Sequence, residues 1–261
     1  MACHSKRYLF ASPDMTLLSP PVPETSLMRL LILIPAYNER KYVNRVLDRV
    51  HLFHPEVLVV DDRSTDGTAD TVEQRGDVKL IRHSTNQGYG SSLIDGFAYA
   101  AEHGYDWVIT MDCDEQHEPE RIPDFFRQID TNRWDLISGS RYADPRTDDD
   151  LPPTDRRSIN EEITRRLNQR LGLRLTDAFC GFKAHRVSGS AKLKLNVPGY
   201  AFPMQLWPQV VKARLRVTEV PVRLIYNDPT RHFGGNLDDA SVRLRHYLEV
   251  LDAECRRAGF S

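Results

Sequence analysis

Along this chain, short apolar runs alternate with stretches whose apolar residues fall at helical spacing. Leu30 to Ile34 is an unbroken apolar run closed by Pro35, the pattern of a strand buried on both faces. Val57 to Val60, Val78 to Ile81, Trp107 to Met111 and Leu136 to Ser138 predict four more strands. Between the first two, Val43, Val46, Leu47 and Val50 share one face of a helix over Glu39 to His51. Asp66, before Gly67-Thr68, is placed to cap a second helix. A third, near Ser91 to Ala101, turns Leu93, Ile94, Phe97 and Ala98 inward. This rhythm predicts an α/β fold, a Rossmann-like, mostly parallel sheet with helices on both faces.

Past Tyr142 the pattern changes. Asp144 to Asp155, rich in acid and proline, is expected to be a mobile surface loop. A charged helix over Ile159 to Leu171, a turn at Gly181-Phe182, a helix near Met204 to Ala213 and a β-like run from Val217 to Tyr226 follow. A last amphipathic helix, Ser241 to Arg257, aligns Leu244, Leu248, Leu251 and Cys255 for packing on its own domain. Residues 1–28, broken by prolines and charges, are expected to be a poorly ordered tail, with Met15 or Met28 as alternative starts; 29–261 is expected to form one domain.

Composition then narrows the functional classes. Basic and acidic side chains number 35 and 37, for a net charge of −2, which excludes a protein built as a general nucleic-acid binder. No apolar run approaches the roughly 20 residues that span a bilayer. Cys3, Cys113, Cys180 and Cys255 are too scattered for a disulfide framework or a zinc site, so a reducing, cytoplasmic setting is expected.

The residues with chemical potential gather after the strands, where open α/β sheets bind ligands. Pro35 to Glu39 follows the first strand, Asp61-Asp62 the second, Asn86 to Gly90 the third, and Asp112 to Gln116 the fourth. In extended chain, residues two apart point the same way. Asp112 and Asp114 would then aim two carboxylates at one point, with Gln116 adding a third oxygen if the extension persists. Hard cations such as Mg²⁺ or Mn²⁺ share such ligands with substrate phosphates. Asp61 is expected at the bottom of the cleft; Asp62 has a second reading as a helix cap. Gly88 and Gly90 permit close backbone approach. His117 and His185 read as packing or surface residues, Phe125-Phe126 as core, and Arg165, Arg166, Arg170 and Arg174 as a solvated face. No Gly-x-Gly-x-x-Gly turn follows the first strand, which argues against a dinucleotide-dependent oxidoreductase.

PAYNE at 35–39, VVDDRSTDGT at 59–68, NQGYG at 86–90, MDCDEQHEP at 111–119, SGSRY at 138–142 and DAFCGFKA at 177–184 occur in order. Together they resemble the family 2 glycosyltransferases of GT-A fold, and within them the polyprenyl-phosphate sugar synthases. The likeness runs from about Leu30 to Tyr226. It implies a nucleotide-diphosphate sugar donor, of GDP-mannose or UDP-glucose type, bound by Pro35, Ala36, Tyr37, Glu39, Asp61 and Asp62, by Gly88 and Gly90, and by Asp112-Cys113-Asp114. It implies Mg²⁺ or Mn²⁺ on Asp112, Asp114 and Gln116. Arg141, with Arg156 or Arg157, would face the phosphate of a lipid-linked acceptor, which places the enzyme at the inner membrane surface as a peripheral protein.

Asp177, Gly181 and Phe182 match the segment near the donor sugar. Two departures stand out: Cys180 occupies a position where the family often has serine, and the loop at 228–235 differs from the usual Arg-Gly-Ser-Lys pattern. The implied reaction is an in-line displacement with inversion. In it Arg231 would assist from a closing loop, and Asp177 would serve as base only for a hydroxyl acceptor. A hydroxyl of a glycan, lipid or small molecule is the alternative acceptor; a nucleotide-sugar binder without catalysis is disfavoured by the intact Asp112 and Asp114.

Overall fold

Seven consecutive buried residues, Leu30–Ala36, form the central strand β1. The computed structural model describes residues 28–145, 149–226 and 232–260, so most of the predicted tail lies outside the described residues, and so does Arg231. Because side chains alternate along a strand, Leu30, Ile32 and Ile34 enter one core and Leu31 and Leu33 the other. The first core is closed by α1 (Val43–His51), α2 (Thr68–Arg75) and α4 (Ile122–Asp130). The second is closed by α3 (Tyr89–Glu102), α5 (Thr154–Leu171), α7 (Phe202–Lys212) and α8 (Ala240–Ala258).

The other strands are β2 (Val57–Asp61), β3 (Lys79–Arg82), β4 (Trp107–Thr110), β5 (Leu136–Ser140), β6 (Lys183–Arg186) and β7 (Val217–Pro221), with a one-turn helix α6 (Val187–Ser190) after β6. They form one sheet in the order β3-β2-β1-β4-β6-β5-β7. β1 pairs in parallel with β2 on one side and β4 on the other, so the strand order reverses there. Such a switch point opens a crevice at the carboxyl ends of the strands. The register Ala36↔Asp61 brings the ends of β1 and β2 level at the rim of that crevice.

The α/β layering follows the sequence expectation; several details differ. β6 runs antiparallel to both β4 and β5 and separates them. Its sequence, Lys-Ala-His-Arg, carries no apolar run, yet Lys183, Ala184 and His185 are buried. On α3 the buried stripe is Ser92, Leu93, Gly96 and Ala100, while Ala98 is exposed. The helix rotates because Gly96 lies on Leu33, where a Cβ would come within 2.3 Å of a leucine methyl. Gly67, with φ of 93°, takes the cap position of α2, and Asp66 accepts from Thr68 N at 2.9 Å one residue earlier. Of the expected mobile loop, residues 146–148 lie outside the described residues, but Asp150 is tied to Leu224 and Tyr226 by backbone and carboxylate bonds. On α8, Leu251 and Cys255 are buried as expected, but Arg243 and Tyr247 lead the stripe.

His185 pairs opposite Val108 and Leu136, with the Phe97 ring 4.8 Å away. Burial, aided by Lys183, pushes its imidazole down to about 3. The unfolded chain takes up that proton near pH 6.5, so stability present above that pH is lost as pH falls toward 3. Between pH 6.5 and 5 the wild type should lose about 2 kcal/mol more than His185→Gln. Urea unfolding of both proteins at the two pH values measures the difference.

Candidate active site

Two of the motifs fold as one unit. Asn38 N donates to Ser64 Oγ at 2.9 Å, Thr65 N to Asn38 Oδ1 at 2.8 Å, and Glu39 N to Thr68 Oγ1 at 2.8 Å. The chain after β1 is therefore stitched to the chain after β2. Asn38 and Arg63 take positive φ, 59° and 66°, at these bends. Above them lies a cavity of about 590 Å³, within the usual size of a ligand pocket.

Asp112 and Asp114 both line this cavity. Tyr89 Oη donates to Asp112 Oδ1 at 3.1 Å, and the Asp112 backbone N–H donates to His117 Nδ1 at 2.9 Å. That bond leaves the hydrogen of a neutral ring on Nε2, 3.7 Å from Asp112 Oδ2. Burial lowers the His117 pKa, which favours this neutral form. Gly181 closes over the same carboxylate; a Cβ there would lie 2.8 Å from Oδ2 and 2.9 Å from Oδ1. Thr110 Oγ1, bonded to Gly181 O at 2.6 Å, fixes that approach. Extension does not persist beyond Asp112: residues 113–117 bend, Glu115 takes φ of 62° and pairs with Arg45, and Asp114 Oδ1 accepts from Gln116 N at 3.0 Å. Gln116 reaches the cavity through this turn rather than by strand alternation. Among the described residues no three His, Cys, Asp or Glu side chains form a metal cluster by themselves. A pair of carboxylates with open space beside it fits a hard cation that takes its remaining oxygens from a ligand.

The opposite wall is basic. Arg141 grips Asp177 with Nε and Nη2 at 2.6 and 2.9 Å. Asp177 is fully buried and also accepts from Asn160 Nδ2 at 2.7 Å and Phe179 N at 3.0 Å. Burial raises its pKa, but Arg141, Asn160 and Lys183 outweigh that and hold it below the ordinary carboxylate range. Arg156 lies 4.8 Å from the Phe233 ring and 5.6 Å from that of Tyr226. Arg243, only 2% exposed, pairs with Asp155, donates to Leu237 O at 2.7 Å and stacks on Phe233 at 4.5 Å. All three arginines line the cavity.

The profile of Glycosyl transferase family 2 matches residues 31–193. A Micrococcus luteus protein named undecaprenyl-phosphate mannosyltransferase is 32% identical over 231 residues, covering 84% of this chain and 94% of the relative. The chain belongs to glycosyl transferase family 2. This glycosyltransferase is also 28% identical to a Mycolicibacterium smegmatis protein named polyprenol monophosphomannose synthase, over 84% of this chain and 86% of that one. A Methanococcus voltae protein named UDP-N-acetylglucosamine–dolichyl-phosphate N-acetylglucosaminyltransferase is 26% identical, over 80% of this chain and 90% of that one. The crystal structure of M. tuberculosis glucosyl-3-phosphoglycerate synthase superimposes with a TM-score of 0.65, covering 88% of this chain and 81% of the other. At 19% identity it shows the shared α/β, GT-A arrangement alone.

Several expected site residues of the glycosyltransferase line the cavity: Pro35, Ala36, Tyr37, Glu39, Asp62, Gly88, Cys113 and Gln116, with Asp112, Asp114, Arg141 and Arg156. Asp61 is not on the wall. It is 2% exposed, one oxygen accepts from Ser64 N at 3.0 Å, and Oδ1 has no hydrogen-bond partner. Asp62 takes the cavity position instead. Gly90 faces away from the cavity, where a Cβ would meet Val197 O at 2.2 Å, so its glycine serves chain packing. Arg157 lies over Tyr142 at 3.7 Å and bonds Glu161, which leaves Arg156 as the cavity arginine of the pair. Asp177 sits behind Arg141, out of reach of a substrate, and positions that guanidinium instead of acting as a base. Cys180 is buried, and burial pushes its thiol up to about 11, so it is no nucleophile.

Sequence reasoning passed over Tyr89, Tyr200, Phe233, Arg243 and Tyr247 as site residues, although all line the cavity. Tyr89 stood inside a quoted motif; Arg243 was one basic residue among several on a helix and gave no separate signal.

Asp177→Asn removes the fully buried counter-charge of the half-buried Arg141 and should destabilise the fold by about 3 kcal/mol. Arg157→Ala breaks an exposed pair with Glu161, 37% and 58% accessible, and the stacking on Tyr142, and should change stability by about 1 kcal/mol. Urea midpoints of the two variants test this ordering.

Proposed function

We propose that this glycosyltransferase moves a sugar from a nucleotide-diphosphate donor to the phosphate of a polyprenyl phosphate, with a divalent cation on Asp112 and Asp114. One observation carries the reading: a single cavity presents Glu39, Asp62, Asp112 and Asp114 from the ends of β1, β2 and β4, and Arg141, Arg156 and Arg243 from the end of β5, α5 and α8. A diphosphate beside the carboxylates needs a cation between them. A phosphate beside the arginines does not. The stitching of the chain after β1 to the chain after β2, which sets Pro35, Tyr37 and Asp62 on the wall, supports a nucleotide at that end.

The relatives' names point the same way. All three specify a polyprenyl-type phosphate or phosphomannose chemistry, whereas the sugar differs between mannose and N-acetylglucosamine. Two of the three are mannosyl enzymes by name, which favours GDP-mannose as donor over UDP-glucose.

A bound Mg²⁺ or Mn²⁺ would offset the charge that develops on the leaving diphosphate. The chain's own residues do the rest. Tyr89 fixes the Asp112 carboxylate, His117 fixes the Asp112 backbone N–H, and the backbone N–H of Gln116 fixes Asp114. Arg141, held rigid by Asp177, orients the acceptor phosphate. An oxygen of that phosphate forms the new bond to the anomeric carbon as the bond to the diphosphate breaks from the opposite side, giving inversion. A phosphate monoester carries about −1.5 to −2 charges at pH 7, so no base is needed. A hydroxyl acceptor needs one, and the withdrawal of Asp177 behind Arg141 disfavours that alternative. Among the described residues no helix is long and apolar enough to cross a membrane. On the proposed reading a lipid-linked acceptor is met by peripheral contact, on the cytoplasmic side.

Labelled GDP-mannose or UDP-glucose, incubated with Mn²⁺ and undecaprenyl phosphate, should pass its label into an organic extract. Label confined to water-soluble product sinks the acceptor assignment. Asp112→Asn and Asp114→Asn should each lower kcat/KM by about 10²–10³-fold, and a chelator should abolish turnover until Mn²⁺ is restored. Transfer that is indifferent to both treatments removes the cation from the mechanism.

A further inference from the structure

Asp62 lines the cavity and also builds part of its wall. Its Oδ1 accepts from Gln87 N and its Oδ2 from Gly88 N, both at 2.7 Å. The turn so held places Asn86 and Gly88 on the cavity, Gly88 with φ of 96°. The orientation of one carboxylate therefore sets the shape of this turn.

Behind Asp62 stands His83, 7% exposed. Its Nδ1 lies 2.8 Å from Asp62 Oδ1 and its Nε2 2.9 Å from Asp95 Oδ2 on α3. Each ring nitrogen therefore has a carboxylate oxygen within hydrogen-bond distance, and the ring bridges the two acids. Hydrogen bonds to ionised carboxylates are stronger than those between neutral groups.

We propose that His83 is a positioning residue for the nucleotide donor: it bridges Asp62 to Asp95 and thereby holds the Gln87–Gly88 turn in its donor-receiving shape. The inference rests on the reading of this cavity as the donor site. The charged groups that face the ring are Asp62 from the end of β2 and Asp95 from α3. Tyr200 faces Asp62 across the cavity, and burial with the nearby Asp112, Glu39 and Asp62 raises its hydroxyl, so it stays neutral. Without the ring, Asp62 loses its tie to α3 and is freer to turn.

The test is the dissociation constant of GDP and of UDP, each with Mg²⁺, by titration calorimetry at pH 7, together with steady-state kinetics, for wild type, His83→Ala, His83→Gln and Asp95→Asn. His83→Ala should bind about tenfold more weakly than wild type, the worth of one hydrogen bond to a charged group, and His83→Gln, whose amide can still donate to Asp62, should restore part of the affinity. Asp95→Asn, whose side chain is 46% exposed, should weaken binding less than His83→Ala. With saturating donor and acceptor, kcat should change far less than the donor KM. His83→Ala binding as tightly as wild type, or a fall in kcat as large as the rise in donor KM, overturns the inference. Absence of binding of either nucleotide to wild type overturns the donor-site reading instead.

Discussion

Like charges do not share a small cavity unless each is held and something of opposite sign comes between them. At an effective dielectric near 20, two unit charges 4 Å apart interact by about 4 kcal/mol, enough to displace a loosely packed side chain. Here each anion has its own restraint. Asp62 is held by two backbone amides and a histidine, Asp112 by a tyrosine and the glycine pressed against it, and Asp114 by the amide two residues on. The restraints fix geometry without neutralising the field. What remains is a negative pole at the ends of the central strands, facing three arginines that come from elsewhere in the chain.

The arginines are fixed by a different rule. A buried guanidinium needs an anion and an acceptor for each remaining hydrogen. Arg141 has a fully buried aspartate behind it, and Arg243 has Asp155 with the carbonyls of Leu237 and Asp238. These partners turn two flexible side chains into fixed features of the wall. They also explain why Asp177 is unavailable for proton transfer: a carboxylate that accepts this many bonds is already occupied.

Most of the sheet was legible in the sequence because β1, β2 and β4 are buried on both faces and leave unbroken apolar runs. β6 was not, because Lys183 and His185 are buried in spite of their polarity, stabilised by a carbonyl and by aromatic rings that periodicity does not record. The acidic end of the site was readable for the same reason as the strands: its residues directly follow them. Asp112, Asp114 and Gln116 all line the cavity as expected, but the chain bends from Cys113 onward, so a turn and not strand alternation brings Asp114 and Gln116 there. Asp61 and Asp62 were both expected at the donor, and the fold separates them: Asp62 reaches the cavity wall while Asp61 is buried. The basic end depends on side chains brought together from the end of β5, α5 and α8, and only tertiary packing makes Arg243 different from its neighbours on the helix.

The division of the cavity has a genetic consequence. The carboxylate pole is encoded by one continuous stretch, from Glu39 to Asp114, whereas Tyr200, Phe233, Arg243 and Tyr247 return to it from the far end of the chain, beyond the family-matched segment. Substitutions that accumulate in the last quarter of the chain alter one part of the chamber while the carboxylate pole keeps its wiring. Recombination near residue 193 would therefore replace Tyr200, Phe233, Arg243 and Tyr247 while leaving the carboxylates, Arg141 and Arg156 in place.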